Sequence, residues 1–165
     1  MSIHINKTQH VPKRYVPKNL SKKDREKQIR NLRKSRKLYK QGKYFTRPKI
    51  ESFKNKKSGH LENAYKKYKV DNMAPTNKLS KATGCNIKTL QKIINKGEGA
   101  YFSSGSRPSQ SAQSWGYARL ASSLTGGNAS VVDFHLLQDG CKPSSLALKM
   151  AKETCRKKNK CNKYL

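Results

Sequence analysis

GEGAYFSSGSRPSQSAQSWGYARLASSLTGG, residues 97–127, holds only three charged residues, Glu98, Arg107 and Arg119, in a chain whose formal net charge is +29. Residues 1–100 carry 28 Lys and Arg against 6 Asp and Glu, a net +22, whereas residues 101–151 carry 4 against 2, a net +2. Residues 152–165 hold 6 against 1, a net +5. The sequence therefore divides into a basic arm over 1–74, a nearly neutral module over 75–151 and a basic tail over 152–165. A low-charge window can bury surface, but a Lys-rich segment with few apolar residues does not offset its own ordering entropy. The core belongs to the module, and the arm is expected to be extended or partly helical.

Inside the window, SAQSWGYARLASSLTGG reads as a helix capped by Ser111. Trp115, Ala118 and Leu124 line one side with Tyr117, Leu120 and Ala121, and Gly126 and Gly127 end it. AYFSSGSRP is too rich in Gly and Ser for a helix and is expected to turn while burying Tyr101 and Phe102. Upstream, residues 79–97 give a short helix (Leu79, Ala82), a Gly-Cys-Asn turn, and a second helix (Ile87, Leu90, Ile93, Ile94) closed by Gly97. That layout is helix-turn-helix, offering Lys88, Thr89, Gln91, Lys92 and Lys96 to a major groove; a packed helix pair with a Gly turn is the other reading. Downstream, residues 128–140 read as one helix with Ser130 and Asp133 as its start box and Val131, Val132, Phe134, Leu136 and Leu137 for the core. Pro143 and the serines after it open a last helix through Leu146, Leu148, Met150 and Ala151. The expected class is all-α: a small helical C-terminal module with a long basic, partly helical N-terminal arm.

In the arm, HVPKRYVPK (10–18) suits an extended strap, because Pro12 and Pro17 restrict the backbone. Ser21 to Asp24 resembles a helix start, and Ile29, Leu32 and Tyr39 recur near helical spacing until Gly42. That stripe is thin, so the helix is expected to lie on a partner and offer Lys22, Lys23, Arg30, Arg33, Lys34, Arg36, Lys37, Tyr39 and Lys40. Farther on, Pro48 stands at a first helical position, and Leu61, Ala64, Tyr65 and Tyr68 make a docking face. Aromatics among lysines stack on bases or plug pockets between scaffold subunits. The charge excess implies a polyanionic partner: nucleic acid, an anionic membrane or an acidic protein lattice.

Catalytic patterns are missing. His4, His10 and His60 lie in the arm, and His135 sits in an apolar helix where a packing role is expected. Asp133 and Asp139 form no evident acid/base pair, and Glu98 with Arg107 is a weak hint of a transferase or nuclease pocket. There is no GxxxxGK[ST] loop and no metal-ligand cluster. Cys85, Cys141, Cys155 and Cys161 lack CxxC spacing and read as reduced thiols, with a metal site or disulfides as the alternatives and Cys155 and Cys161, flanking RKKNK, as the pair of interest. No apolar run approaches the ~20 residues of a membrane span, and no signal leader opens the chain. The chain reads as a non-enzyme with no cofactor, no metal and no small-molecule substrate.

The wording of GAYFSSGSRP, SWGYARL and LTGG, followed by Asp133, resembles an uncharacterised domain of large double-stranded DNA viruses of eukaryotes and of some bacteriophages, over residues 79–140. YVPKNLSKKDREKQ and LRKSRKLYKQGKYFTRPKIESFKNKKS look like arms of virion proteins of giant algal and amoebal viruses. The characteristic positions carried over are Gly99, Ser104, Arg107, Pro108, Trp115, Ala118, Arg119, Gly126, Gly127 and Asp133. Arg107 and Arg119 beside Asp133 suit a buried charge-assisted network, or alternatively a phosphate site. The resemblance implies origin more than activity; taken with the basic arm, the expectation is a virion structural protein, a minor capsid component on the inner face of an icosahedral shell that uses its arm to staple neighbouring capsomers, made in the host cell cytoplasm. Its expected partners are the major capsid protein and other minor capsid proteins, with viral DNA or the internal virion membrane surface facing the arm. The alternative is a nucleic-acid-binding protein that uses the helix-turn-helix-like segment and the polybasic arm to bind or condense viral DNA.

Overall fold

A computed structural model describes residues 11–165. The regular structure of these residues is a short 3-10 helix, Lys13–Tyr15, followed by eight α-helices: α1 Lys22–Lys40, α2 Gly59–Tyr68, α3 Asn77–Thr83, α4 Ile87–Ser103, α5 Ala112–Leu124, α6 Asn128–Val132, α7 Phe134–Gly140 and α8 Leu146–Lys157. The expected all-α class, with a helical C-terminal module and a basic, partly helical N-terminal segment, is the class observed. His4 and His10, and the start of the expected strap, lie outside the described residues; the rest of the strap is not extended, because Lys13–Tyr15 make a 3-10 turn that buries Tyr15 in this chain.

The chain forms two compact units. Among the described residues, one comprises 11–55 together with Ala100–Ser111, and the other comprises Lys56–Gly99 together with Ala112–Leu165.

In the first unit α1 starts where Ser21 Oγ accepts from the Asp24 amide at 3.2 Å, leaving a carboxylate in the first turn. It ends at Gly42, whose φ of +74° lets Lys43 N–H return to the Leu38 carbonyl at 2.9 Å. The buried stripe of α1 is Gln28, Leu32 and Ser35, two polar residues around one leucine. Tyr15, Leu20, Leu32, Ile50 and Tyr101 are the buried apolar side chains of this unit. The basic segment thus has a small core of its own. A Cβ at Gly105, where φ is +114°, would meet Leu32 Cδ2 at 2.7 Å, so glycine is required for that close approach. Pro48 opens no helix. The backbone donors there are taken by side chains instead: Arg47 N–H donates to the Tyr101 hydroxyl at 3.0 Å and Ile50 N–H to Ser109 Oγ at 2.9 Å.

In the second unit a core of Leu79, Leu90, Ile93, Ile94, Leu120, Leu124, Phe134, Leu137, Leu148 and Ala151 joins the helices. The Ala64 and Tyr68 face of α2, expected to dock on another molecule, instead packs on α5 of this chain, with the Tyr68 hydroxyl donating to the Leu124 carbonyl. That burial pushes the Tyr68 phenol far above its usual range.

Four expectations about this region need correction. First, α4 does not close at Gly97 but continues to Ser103, through AYFS. Gly97 is a contact residue: a Cβ there would stand 2.6 Å from Gly116 Cα, so the two glycines let α4 and α5 touch backbone to backbone. Second, residues 128–140 form two helices, because the backbone breaks at Asp133 (φ −97°, ψ 13°) between α6 and α7, and Val132, expected in the core, is exposed there. Third, Trp115 and Ala118 are only half-buried, and the inward face of α5 is Gly116, Leu120, Ala121 and Leu124. Fourth, the cysteines are paired, Cys85 with Cys141 and Cys155 with Cys161. Cys85 and Cys141 face each other across an isolated antiparallel bridge, closed by Asn86 N–H to the Gly140 carbonyl and Lys142 N–H to the Gly84 carbonyl, both 2.9 Å. Cys161 is brought to Cys155 by the turn after α8, where Lys160 N–H returns to the Cys155 carbonyl at 2.8 Å.

Candidate nucleic-acid interface

The structure gives the residues singled out from sequence very different surroundings. On α1 the buried stripe at Gln28, Leu32 and Ser35 fixes the helix's rotation, and at 3.6 residues per turn the opposite face falls on Lys23, Arg30, Lys34 and Lys37. All four are exposed, as are Lys22 and Lys40 on the flank. From Lys23 to Lys37 the row runs about 21 Å at ~1.5 Å per residue. Lys34 Nζ stands 4.4 Å from the centroid of the Phe45 ring, which orients one member of the row. Of the two carboxylates on α1, Asp24 is turned aside: it accepts from Ser52 N–H at 3.0 Å, and hydrogen bonding to Ser52, above all, holds its pKa below the ordinary carboxylate value; the other, half-buried Glu26, falls on the basic face between Lys23 and Arg30. Two predicted members point elsewhere. Arg36 is half-buried and donates through Nε and Nη2 to the Ser104 carbonyl at 3.1 and 2.7 Å, and Arg33 is half-buried.

Behind α1 lies a cation that sequence reasoning missed. Arg47 is buried, and its guanidinium donates to Ser35 Oγ, the Tyr101 carbonyl and Ser106 Oγ, each at 2.8 Å, while lying 3.8 Å from the Tyr101 ring centroid. Neutral acceptors and a π face hold this charge. Burial lowers its pKa from the ordinary arginine value, and the neighbouring Tyr101 and Tyr15 oppose that. The GSRP loop is thus fastened to α1 from inside. Arg107, by contrast, is exposed, and Pro108 is buried.

The second polar centre is Asp133, fully buried in the other unit. Arg119 donates to it through Nε at 3.0 Å and Nη2 at 2.8 Å, Ser123 Oγ donates at 3.0 Å, and Lys96 Nζ lies 3.3 Å away. Burial alone raises the carboxyl's pKa. The hydrogen bonds and charge of Arg119, then Ser123, then Lys96, outweigh it and leave the value lowered. Of the expected network, Arg119 joins Asp133; Arg107 belongs to the first unit. Both oxygens and the charge of Asp133 are used to hold α5 against the α6–α7 break.

The helix-turn-helix-like pair exists as α3 and α4, with Gly84 (φ +73°) ending α3 and Asn86 Oδ1 accepting from Thr89 N–H at 2.7 Å. Lys88, Gln91 and Lys92 are exposed. Thr89 is not: it is buried against α7, since a Cβ at Gly140 would stand 1.7 Å from Thr89 Oγ1. Lys96 is engaged by Asp133. A row of contiguous groove-facing residues is therefore interrupted at two of its five positions. Gly126, with φ +71°, ends α5, and Gly127 N–H returns to the Ser122 carbonyl at 2.8 Å. Gly99 is half-buried in α4. His135 stacks on Tyr164 at 6.3 Å between centroids, a packing role. Among the described residues no group of three or more His, Cys, Asp and Glu converges, and no helix is long and apolar enough to cross a membrane.

No curated protein and no solved structure matches the chain. A family of unknown function, DUF5824, matches residues 12–139. That span takes in α1, the Arg47 network and the Asp133 centre, and it is longer than the 79–140 over which the motif words run. The basic helix and the helical module are therefore parts of one shared region, and the chain belongs to the DUF5824 family.

Proposed function

We propose that this protein is a non-enzymatic structural component of a large-DNA-virus particle, placed on the inner face of the shell, where it binds the phosphates of packaged nucleic acid through the solvent face of α1. The virion setting rests on the resemblance of the GAYFSSGSRP, SWGYARL and LTGG words. The binding mode rests on one observation: Lys23, Arg30, Lys34 and Lys37 form an exposed row on a helix whose opposite stripe is buried. A fixed row of cations meets B-DNA, which presents one phosphate per ~1.7 Å of axis, with less ordering cost than a flexible tail. Residues 12–55 would then meet a neighbour as a surface, and any stapling of capsomers falls to the same basic face.

The test is a salt titration of full-length protein on a labelled 20-base-pair duplex. Replacing Lys23, Arg30, Lys34 and Lys37 together with Gln should flatten the slope of log K against log[salt] by about 0.9 for each phosphate no longer neutralised. Replacing the exposed Lys66, Lys67, Lys149 and Arg156 instead should leave it unchanged. Equal slopes for the two quadruple variants would mean a diffuse polycation and would overturn the localised site. The setting is tested on particles, where the protein should remain with the shell after genome and lipid are stripped.

A further inference from the structure

We infer that the C-terminal end of α1 carries a base-stacking platform for single-stranded nucleic acid, built on Tyr44 and Tyr39. This rests on the nucleic-acid reading above and names the form of nucleic acid that one end of the basic face takes. Tyr44 is 73% exposed and Tyr39 37% exposed, among the largest exposed apolar groups of the described chain. They are neighbours because Gly42 turns the backbone at the end of α1 and returns Lys43 to the Leu38 carbonyl. Tyr44 then lies 6.2 Å from Tyr39 and 5.1 Å from Phe102 between ring centroids, and Phe102 is braced edge-on by the buried Tyr101.

An aromatic ring that is both largely exposed and wedged by two others is held without covering itself. Its free face is available to a flat partner at little further entropic cost. Lys37, Lys40 and Lys43, exposed and without a carboxylate partner among the described residues, flank the ring in sequence and continue the cationic row. Aromatic faces beside a cationic track are what a single strand recognises, since each unpaired base offers a π face and each linkage a phosphate. Duplex DNA offers the phosphates but keeps its base faces stacked. The occupant is therefore an unpaired strand, with the lysines on its backbone and Tyr44 against a base.

Full-length protein is titrated with fluorescent dT20, with an abasic 20-mer of the same backbone, and with the 20-base-pair duplex. Tyr44→Ala should weaken dT20 binding roughly 5- to 150-fold, the range of one lost base stack, and leave duplex binding within twofold. Tyr44→Phe should keep dT20 affinity, and the wild type should bind the abasic strand about as weakly as Tyr44→Ala binds dT20. Because the side chain is mostly exposed, circular dichroism of Tyr44→Ala should match the wild type. Equal wild-type affinity for dT20 and the abasic strand overturns the platform while leaving the phosphate-binding reading in place. Failure to bind all three probes overturns both. Loss in Tyr44→Ala of binding to vesicles of equal phosphatidylcholine and phosphatidylserine, with dT20 binding unaffected, overturns the platform in favour of a membrane contact.

Discussion

Asp133→Asn keeps the shape of the side chain and removes its charge, and the surroundings set the cost. The carboxylate is fully buried and receives Arg119 through two nitrogens, at 2.8 and 3.0 Å, and Ser123 at 3.0 Å. Without it the Arg119 guanidinium, 21% exposed, keeps a charge it cannot fully hydrate. Breaking one side of such a pair costs about 3–5 kcal/mol. Lys96 is 42% exposed and screened by water, so its share is below ~1 kcal/mol. At about 2–4 °C per kcal/mol for a chain of this size, the melting temperature at pH 7 should fall by roughly 6–20 °C.

The pH dependence has a definite sign. The folded-state pKa of Asp133 is lowered, so its contribution is complete above the unfolded carboxylate value, about 3.9, and is lost as pH falls through the folded value below it. The gap between wild type and Asp133→Asn should be full at pH 7 and close in stronger acid. Thermal melts followed by far-ultraviolet circular dichroism measure it. Coincident melts at pH 7, or a gap that persists undiminished below the folded pKa, would refute the assignment of stability to this ion pair. The double replacement Asp133→Leu with Arg119→Met should recover much of the loss, since apolar side chains of similar volume leave no buried charge unpaired.

Gly97→Ala gains up to ~1 kcal/mol of helix propensity, yet should destabilise by about 1–3 kcal/mol in urea titrations, because the new Cβ would sit 2.6 Å from Gly116 Cα and backbone cannot yield there. Gly59→Ala, with open space around it, should instead be neutral or stabilising. Removing the Cys85–Cys141 link, which spans 56 residues, should cost about 4 kcal/mol by chain entropy, against about 2 for Cys155–Cys161, which spans 6. Differential scanning calorimetry of the two Cys→Ser pairs gives the order. A larger loss for the second pair would contradict it.

What the sequence revealed and what it hid follow from the range of the interactions involved. Helix starts set by one side chain and a nearby amide were legible: Ser21 for α1 and the Gly-Cys-Asn turn before α4 both stand where expected. The row on α1 was legible as composition, but its direction was not, because a buried stripe of Gln28, Leu32 and Ser35 carries almost no hydrophobic signal. Gly97 misled for a related reason. A glycine that ends a helix and one that admits a second helix look alike until Gly116, nineteen residues on, is known to face it. Arg47 was hidden among lysines, and its partners come from two distant segments, Ser35 on α1 and Tyr101 with Ser106 more than fifty residues on. The Cys85–Cys141 disulfide was hidden too: 56 residues separate the two, and their pairing depends on a bridge between segments with no strand pattern.

The two arginines turned inward show how so basic a chain keeps most of its charge outside. Each gives up water, and each is stabilised differently. Arg119 is neutralised by Asp133, one of only nine acidic residues in the sequence. Arg47 takes hydroxyls, a carbonyl and the face of Tyr101 instead, so its unit uses no carboxylate to bury a cation. A carboxylate in that place would have cancelled part of the field that α1 presents to solvent, since a low-dielectric interior screens poorly over ~10 Å. The neutral shell around Arg47 leaves that field intact, with Lys23, Arg30, Lys34 and Lys37 directed outward on the same helix whose Ser35 accepts from Arg47. Fold and surface are thereby coupled: the interaction that fastens the GSRP loop also preserves the positive potential that a phosphate backbone would meet.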